Sequence, residues 1–234
     1  MQNGMTISEN LSRCLERIDK AAAKSGRNLS DITLVAVTKT VEPERMNEGI
    51  KAGITIIGEN KVQEAVAKKP KVIPVAWHMV GHLQRNKVKQ AVELFNMIQS
   101  VDSVRLAKEI DKRCGNINKV MPVLVEVNTS GEDSKYGCPP ETTGELIGKI
   151  CELSHLKIEG LMTIGLFTDD MELVRPCFVK LRKLAEQLKS LKIPRTDFKI
   201  LSMGMSADFE TAIEEGSNMV RIGTAIFGPR KYGD

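Results

Sequence analysis

Hydrophobic positions along this chain switch repeatedly between two periods. Residues 5–24 carry Ile7, Leu11, Leu15 and Ile18 at helical spacing, with Ala22 following and Gly26 as the stop. Short apolar runs then alternate with helix-period segments. A first strand covers about 32–38, and Pro43 opens a helix through Met46 and Ile50 that ends at Gly53. A second strand over 54–57 closes at Gly58, and a helix over about 60–69 stops at Pro70. A strand at 75–80 precedes a helix at 83–94, and a short strand at 97–99 precedes a helix at 104–113 that Ser103 can cap. The run 119–127 is the clearest strand, followed by a polar loop at 128–140 and a helix that Thr142 or Thr143 starts. A strand at 158–164 leads to a helix over about 172–190, with Val174, Phe178, Leu181, Leu184 and Leu188 as its stripe and Pro176 expected in its first turn. The last units are a strand at 198–201, a helix from Ser206 to Glu214, and a strand at 220–222.

Eight strand–helix units after one leading helix predict an α/β fold. The connections are too long for hairpins and suit parallel crossovers, and most strands lack polar alternation, as strands covered on both faces do. Eight in one chain favours a single (β/α)8 TIM-type barrel with an additional N-terminal helix, occupying residues 1–234 as one domain; an open doubly wound sheet is the alternative. Composition agrees with a globular chain: 234 residues, 41% hydrophobic and 27% charged. A net charge of +4 and only 4% aromatic residues argue against a nucleic-acid partner. No run reaches the roughly 18 apolar residues of a membrane span, and the first residues show no secretory leader, so a cytoplasmic location is expected. Five scattered cysteines without a C-x-x-C pair read as reduced, mostly buried thiols.

Candidate chemistry gathers where the strands end, which is the active rim of such a barrel. Lys39 is the sharpest case. It follows the apolar run Leu34-Val35-Ala36-Val37-Thr38, where a lysine either snorkels to solvent or is kept as an amine for Schiff-base chemistry with a carbonyl. Gly58-Glu59-Asn60, Gly81-His82, Asn128-Thr129-Ser130-Gly131, Ser202-Met203-Gly204-Met205-Ser206 and Gly223-Thr224 occupy other strand ends. The last two segments suit an anion, because the loops after strands seven and eight commonly seat phosphate in this fold. Ser206 capping its own helix is the competing reading. Arg221 lies two residues before Gly223, on the same side of the strand, and is an unlikely core filler. No dinucleotide or nucleoside-triphosphate fingerprint follows any strand. His78 and His82 span a strand end without the acid of a zinc motif, so metal binding is disfavoured; His78 is expected inside and hydrogen-bonded, His82 nearer the rim, and His155 solvated. Residues 85–89 form a basic run, and residues 131–137 a polar loop able to cover a pocket.

The segments Ala36-Val37-Thr38-Lys39-Thr40, Gly58-Glu59-Asn60, Trp77-His78-Met79-Val80-Gly81-His82-Leu83-Gln84-Arg85-Asn86-Lys87, Gly160-Leu161-Met162-Thr163-Ile164-Gly165, Ser202-Met203-Gly204-Met205-Ser206-Ala207-Asp208 and Val220-Arg221-Ile222-Gly223-Thr224-Ala225-Ile226-Phe227-Gly228 occur in order along nearly the whole chain. With them the chain resembles the pyridoxal 5'-phosphate (PLP) homeostasis proteins, related to the N-terminal barrel of alanine racemase. The resemblance implies a cofactor held as an aldimine on Lys39, its phosphate against Ser206 and the Gly223-Thr224 amides, and Arg221 near the pyridine nitrogen. An arginine there makes the ring a weaker electron sink than a carboxylate would. Asn60, His82, Met203 and Gly204 would line the pocket. The family is regarded as non-catalytic, and the sequence ends just after the eighth unit, where a racemase adds a second domain bearing an acid/base group. The expectation is therefore a monomeric carrier that hands PLP to enzymes lacking it, rather than a PLP-dependent racemase or lyase, or a cofactor-free Schiff-base aldolase.

Overall fold

Side chains of alternate residues along each strand enter two separate cores. The computed structural model describes residues 5–168 and 170–229; residues 1–4, read above for a leader, and the chain end at Asp234 lie outside them. Eight parallel strands, β1 (Thr33–Val37), β2 (Ile56–Glu59), β3 (Ala76–Met79), β4 (Met97–Val101), β5 (Met121–Glu126), β6 (Leu156–Met162), β7 (Thr196–Ser202) and β8 (Met219–Ile222), pair in sequence order into a closed barrel. Closure is made by β8 on β1, with Thr33 opposite Met219 and Ala36 opposite Ile222. Val35, Val80, Met97, Leu124, Met162 and Met219 fill the interior. Residues of the other parity, such as Ala36, Ile57, Val123, Val125 and Val220, join the larger core beneath the helices.

The helices are α1 (Ile7–Lys24), α2 (Pro43–Lys51), α3 (Val62–Lys68), α4 (Val88–Leu94), α5 (Val104–Gly115), α6 (Thr143–Cys151), α7 (Met171–Ser190), α8 (Phe209–Glu214) and α9 (Thr224–Phe227). A capping box starts α1: the Thr6 hydroxyl accepts from the Glu9 amide, and the Glu9 carboxylate accepts from the Thr6 amide. Its buried stripe of Ile7, Leu11, Cys14 and Ile18 lies on α2, α8 and α9, so the leading helix covers the closure seam.

Several boundaries depart from the periodicity. β2 begins two residues late because Ile54 folds back on α2, its amide on the Gly49 carbonyl at 3.1 Å and Gly53 at φ 116. Gly58 and Glu59, read as the turn after that strand, lie in it. Pro176 sits in the second turn of α7, where it removes the bond to residue 172. Thr142 stands at the N-terminal boundary of α6, but its hydroxyl donates to the Pro139 carbonyl instead of capping. His155 keeps 37% of its side chain exposed, in line with the solvated ring expected, and is also tied to Asp111 by its amide at 2.8 Å and its ring Nδ1 at 3.2 Å. Four of the five cysteines are buried, and all five are unpaired thiols.

Candidate functional site at the carboxyl ends of the strands

Lys39 lies two residues past the end of β1, with the parity of the inward-facing Val35 and Val37. It lines a cavity of about 260 Å³ with Val37, Thr40, Arg45, Gly223 and Thr224. That is close to the lower end of the ~300–1,000 Å³ typical of small-molecule sites. The closure of β8 on β1 is what brings Gly223 and Thr224 across to the lysine.

Ser206 reaches the same corner from the β7–α8 connection. Its hydroxyl accepts from the Gly223 amide at 3.2 Å and the Ala225 amide at 3.4 Å. It does not cap α8, which starts three residues later behind Asp208. Gly204 makes this connection possible. Its φ of 93 favours glycine, a Cβ there would come within 2.6 Å of Ala212 Cβ, and its carbonyl accepts from the Arg221 amide at 3.0 Å. The neighbouring Met203 side chain is fully buried in the outer core, so it supports the connection from behind.

Arg221 follows Met219 on the inward face and is buried. It donates to Ser202 Oγ at 2.6 Å and the Thr163 carbonyl at 2.8 Å. Ser202 donates on to Gln99 Oε1 at 2.6 Å, and the Gln99 amide nitrogen meets His78 Nδ1 at 3.0 Å. A continuous polar chain thus crosses the barrel, with His78 internal and hydrogen-bonded as the pattern predicted. Burial pushes His78 down to about 4 and Arg221 down to about 10, with Asp208 and Glu126 opposing the shift at the arginine. Glu126, at the inward end of β5, has one carboxyl oxygen without a protein partner. Burial, then Asp102, push its pKa up to about 7 against the pull of Arg221.

The alanine racemase N-terminal domain model matches residues 10–231. A pyridoxal phosphate homeostasis protein of Aquifex aeolicus is 45% identical over 233 residues, covering 97% of this chain and all of that one. The chain belongs to the pyridoxal phosphate homeostasis proteins, within the alanine racemase N-terminal domain family. Among solved structures, PipY of Synechococcus elongatus with PLP bound superposes with a TM-score of 0.83 at 30% identity, over 95% of this chain and all of PipY. An alanine racemase of Clostridium difficile shares the fold at 18% identity and a TM-score of 0.76, this chain spanning 56% of its length.

Within this homeostasis-family barrel, not every residue read as lining the pocket adjoins the lysine cavity. Asn60 and His82 line a separate one with Met79, Gly81 and Tyr136. The His82 ring stacks on Tyr136 at 3.9 Å between centroids, and its Nδ1 lies 3.6 Å from Asp102. Tyr136 arrives on the 131–137 loop, so that loop does reach over the rim. The pattern missed an ion cluster beside the lysine. Lys68 Nζ donates to Glu59 Oε1 at 2.9 Å, Glu64 Oε2 at 3.1 Å and the Thr38 carbonyl at 2.9 Å. The sequence signals that point to it are Glu59 in a strand-end segment and the four-residue spacing of Glu64 and Lys68.

Proposed function

We propose that this chain binds pyridoxal 5'-phosphate and holds it reversibly on Lys39, as a carrier in PLP homeostasis. The observation that carries the reading is the shared cavity: a lysine amine opposite the Gly223-Thr224 backbone, with the Ser206 hydroxyl already turned to the adjoining amides. The group's two reactive ends, an aldehyde and a dianionic phosphate, match that pair of features. The names of the A. aeolicus relative and of PLP-bound PipY support it.

When bound, the cofactor supplies an aldehyde able to condense with an amine, with loss of one water. This chain's residues do the rest. Lys39 would contribute the amine, Ser206 and the β8–α9 amides would hold the phosphate, and Arg221 would be the donor available to the ring nitrogen. Arg221 keeps its proton, so it does not favour withdrawing electrons through the ring as a carboxylate partner would. Asn60, His82, Met203 and Gly204 shape the surroundings, the last two through the backbone that presents Ser206.

Borohydride reduction of the PLP-loaded protein followed by peptide mass analysis tests the anchor. The reduced cofactor mass is expected on the peptide containing Lys39, and finding it on another lysine defeats the assignment. Exchange of the α-proton of free amino acids, counted per subunit, tests the carrier role. Sustained turnover would establish a racemase or lyase instead.

A further inference from the structure

Both peptide groups that flank Lys39 are held by one ion cluster. The Thr38 carbonyl, which belongs to the peptide entering Lys39, accepts from Lys68 Nζ at 2.9 Å. The Thr40 amide, which belongs to the peptide leaving it, donates to Glu64 Oε2 at 3.0 Å. The same Lys68 ammonium bonds Glu64 and Glu59, so its three donors are all engaged. Glu59 in turn accepts from the Thr38 hydroxyl at 2.6 Å. The two peptide planes that set the backbone of Lys39 are thus fixed from one side by β2 and α3, while its side chain lines the cavity on the other.

The turn needs holding. Thr40 adopts φ 61, a left-handed conformation unfavourable for a β-branched residue. The Thr38 carbonyl also receives the Val41 amide at 3.0 Å, so it is shared between the turn and the lysine. Electrostatics make the cation indispensable to the cluster. The Glu59 side chain is wholly buried with its second oxygen unpartnered, and Glu64 lies in the same cluster. Burial pushes Glu59 up, against the pull of Lys68. Burial also pushes at Glu64, but the Thr40 amide and Lys68 outweigh it and hold that carboxyl below its ordinary value. Removing the ammonium leaves two acids close together, one of them on the Lys39 turn.

We propose that Lys68, acting through Glu59, Glu64 and the Thr38–Thr40 backbone, is a positioning residue that presents the Lys39 amine to a carbonyl in the cavity. The proposal rests on the reading of Lys39 as the cofactor-bearing amine. It predicts a defect in the covalent step out of proportion to any defect in binding, because misplacing a reacting group by about 1 Å can cost up to about a hundredfold.

The test compares wild type with Lys68→Met, Lys68→Arg and Glu64→Gln. Schiff-base formation with PLP is followed by absorbance in stopped flow. Affinity for 4'-deoxypyridoxine 5'-phosphate, which has no aldehyde, reports the pocket alone. In cofactor-free protein, trace acetylation across pH with peptide mass readout reports the reactivity of Lys39 itself. Lys68→Met is expected to slow the covalent step by about tenfold or more and to displace the Lys39 acetylation profile, with deoxypyridoxine phosphate affinity nearly kept. Lys68→Arg should recover most of the rate by restoring the cation. Glu64→Gln, which keeps the fold if Lys68→Met does not, should shift the rate in the same direction by less. An unchanged rate and acetylation profile in both Lys68→Met and Glu64→Gln would overturn the proposal, as would equal losses of rate and deoxypyridoxine phosphate affinity. Reduced cofactor on a lysine other than Lys39 would instead defeat the parent reading, and the cofactor-free profile would still decide whether the cluster controls Lys39.

Discussion

For Ser206 the sequence left two readings, an anion seat and a cap on its own helix, and the structure removes the second. A serine shortly before a helix reads as its cap, yet its hydroxyl sits on the amides of Gly223 and Ala225. Those amides open α9, so the hydroxyl stands where the β8 end is rich in donors. Ser206→Ala should therefore weaken binding of PLP by about tenfold, the value of one charge-assisted hydrogen bond of ~1.5 kcal/mol. Pyridoxal, which lacks the phosphate, should bind the variant and the wild type alike. Titration by fluorescence with both ligands checks this, and an equal loss for the two would remove Ser206 from the phosphate site. Lys39, Arg221, Gly223 and Thr224 were legible beforehand because each breaks the apolar logic of a strand or its end. Lys68 was not, and Glu59 was visible only as part of a strand-end segment, without its partner. An unremarkable helix lysine becomes a part-buried donor to the Thr38 carbonyl only through a contact 30 residues away, which no local pattern records.

At the scale of the element, the order of strands and helices was readable and their edges were not. Periodicity marks where apolar faces lie, while ends depend on local competitors such as Ile54, which α2 captures from the start of β2. The β6–β7 pair shows the same limit. Its register shifts between Ile158 and Gly160, with Ile158 opposite Thr196 and Gly160 opposite Ile200, and Phe198 takes φ 43 inside β7. A bulge of this kind is absorbed by a glycine whose neighbour approaches closely. A Cβ on Gly160 would collide with the Ile200 carbonyl and lie 2.9 Å from its Cα. Gly160→Ala should destabilise the barrel by roughly 2–4 kcal/mol, at the severe end for overpacking. Urea unfolding at neutral pH measures it, and a loss below about 0.5 kcal/mol would show that the pair opens freely.

For the molecule as a whole, stability is set partly by two titrating groups buried on the inward face of one barrel. His78 falls to about 4 from 6.5, so the unfolded chain takes up that proton first. Its contribution is complete above about pH 6.5 and is lost as pH falls toward 4. Glu126 rises from 4.5 to about 7, so the folded chain keeps a proton that the unfolded chain releases. Its contribution is complete below about pH 4.5 and is lost as pH rises through 7. Between pH 4.5 and 6.5 the two slopes oppose, and the wild-type barrel should change little there. Glu126→Gln removes one of them. The variant should match wild type near pH 4.5 and exceed it by roughly 2–3 kcal/mol at pH 7, because its unfolded chain no longer gains free energy by releasing a proton that the fold keeps. It should also expose the His78 slope, losing stability on acidification where wild type does not. Urea unfolding of both proteins at intervals from pH 4.5 to 8 decides the matter. A difference that stays constant across that range would mean that Glu126 is already ionised in the fold, its charge balanced by Arg221.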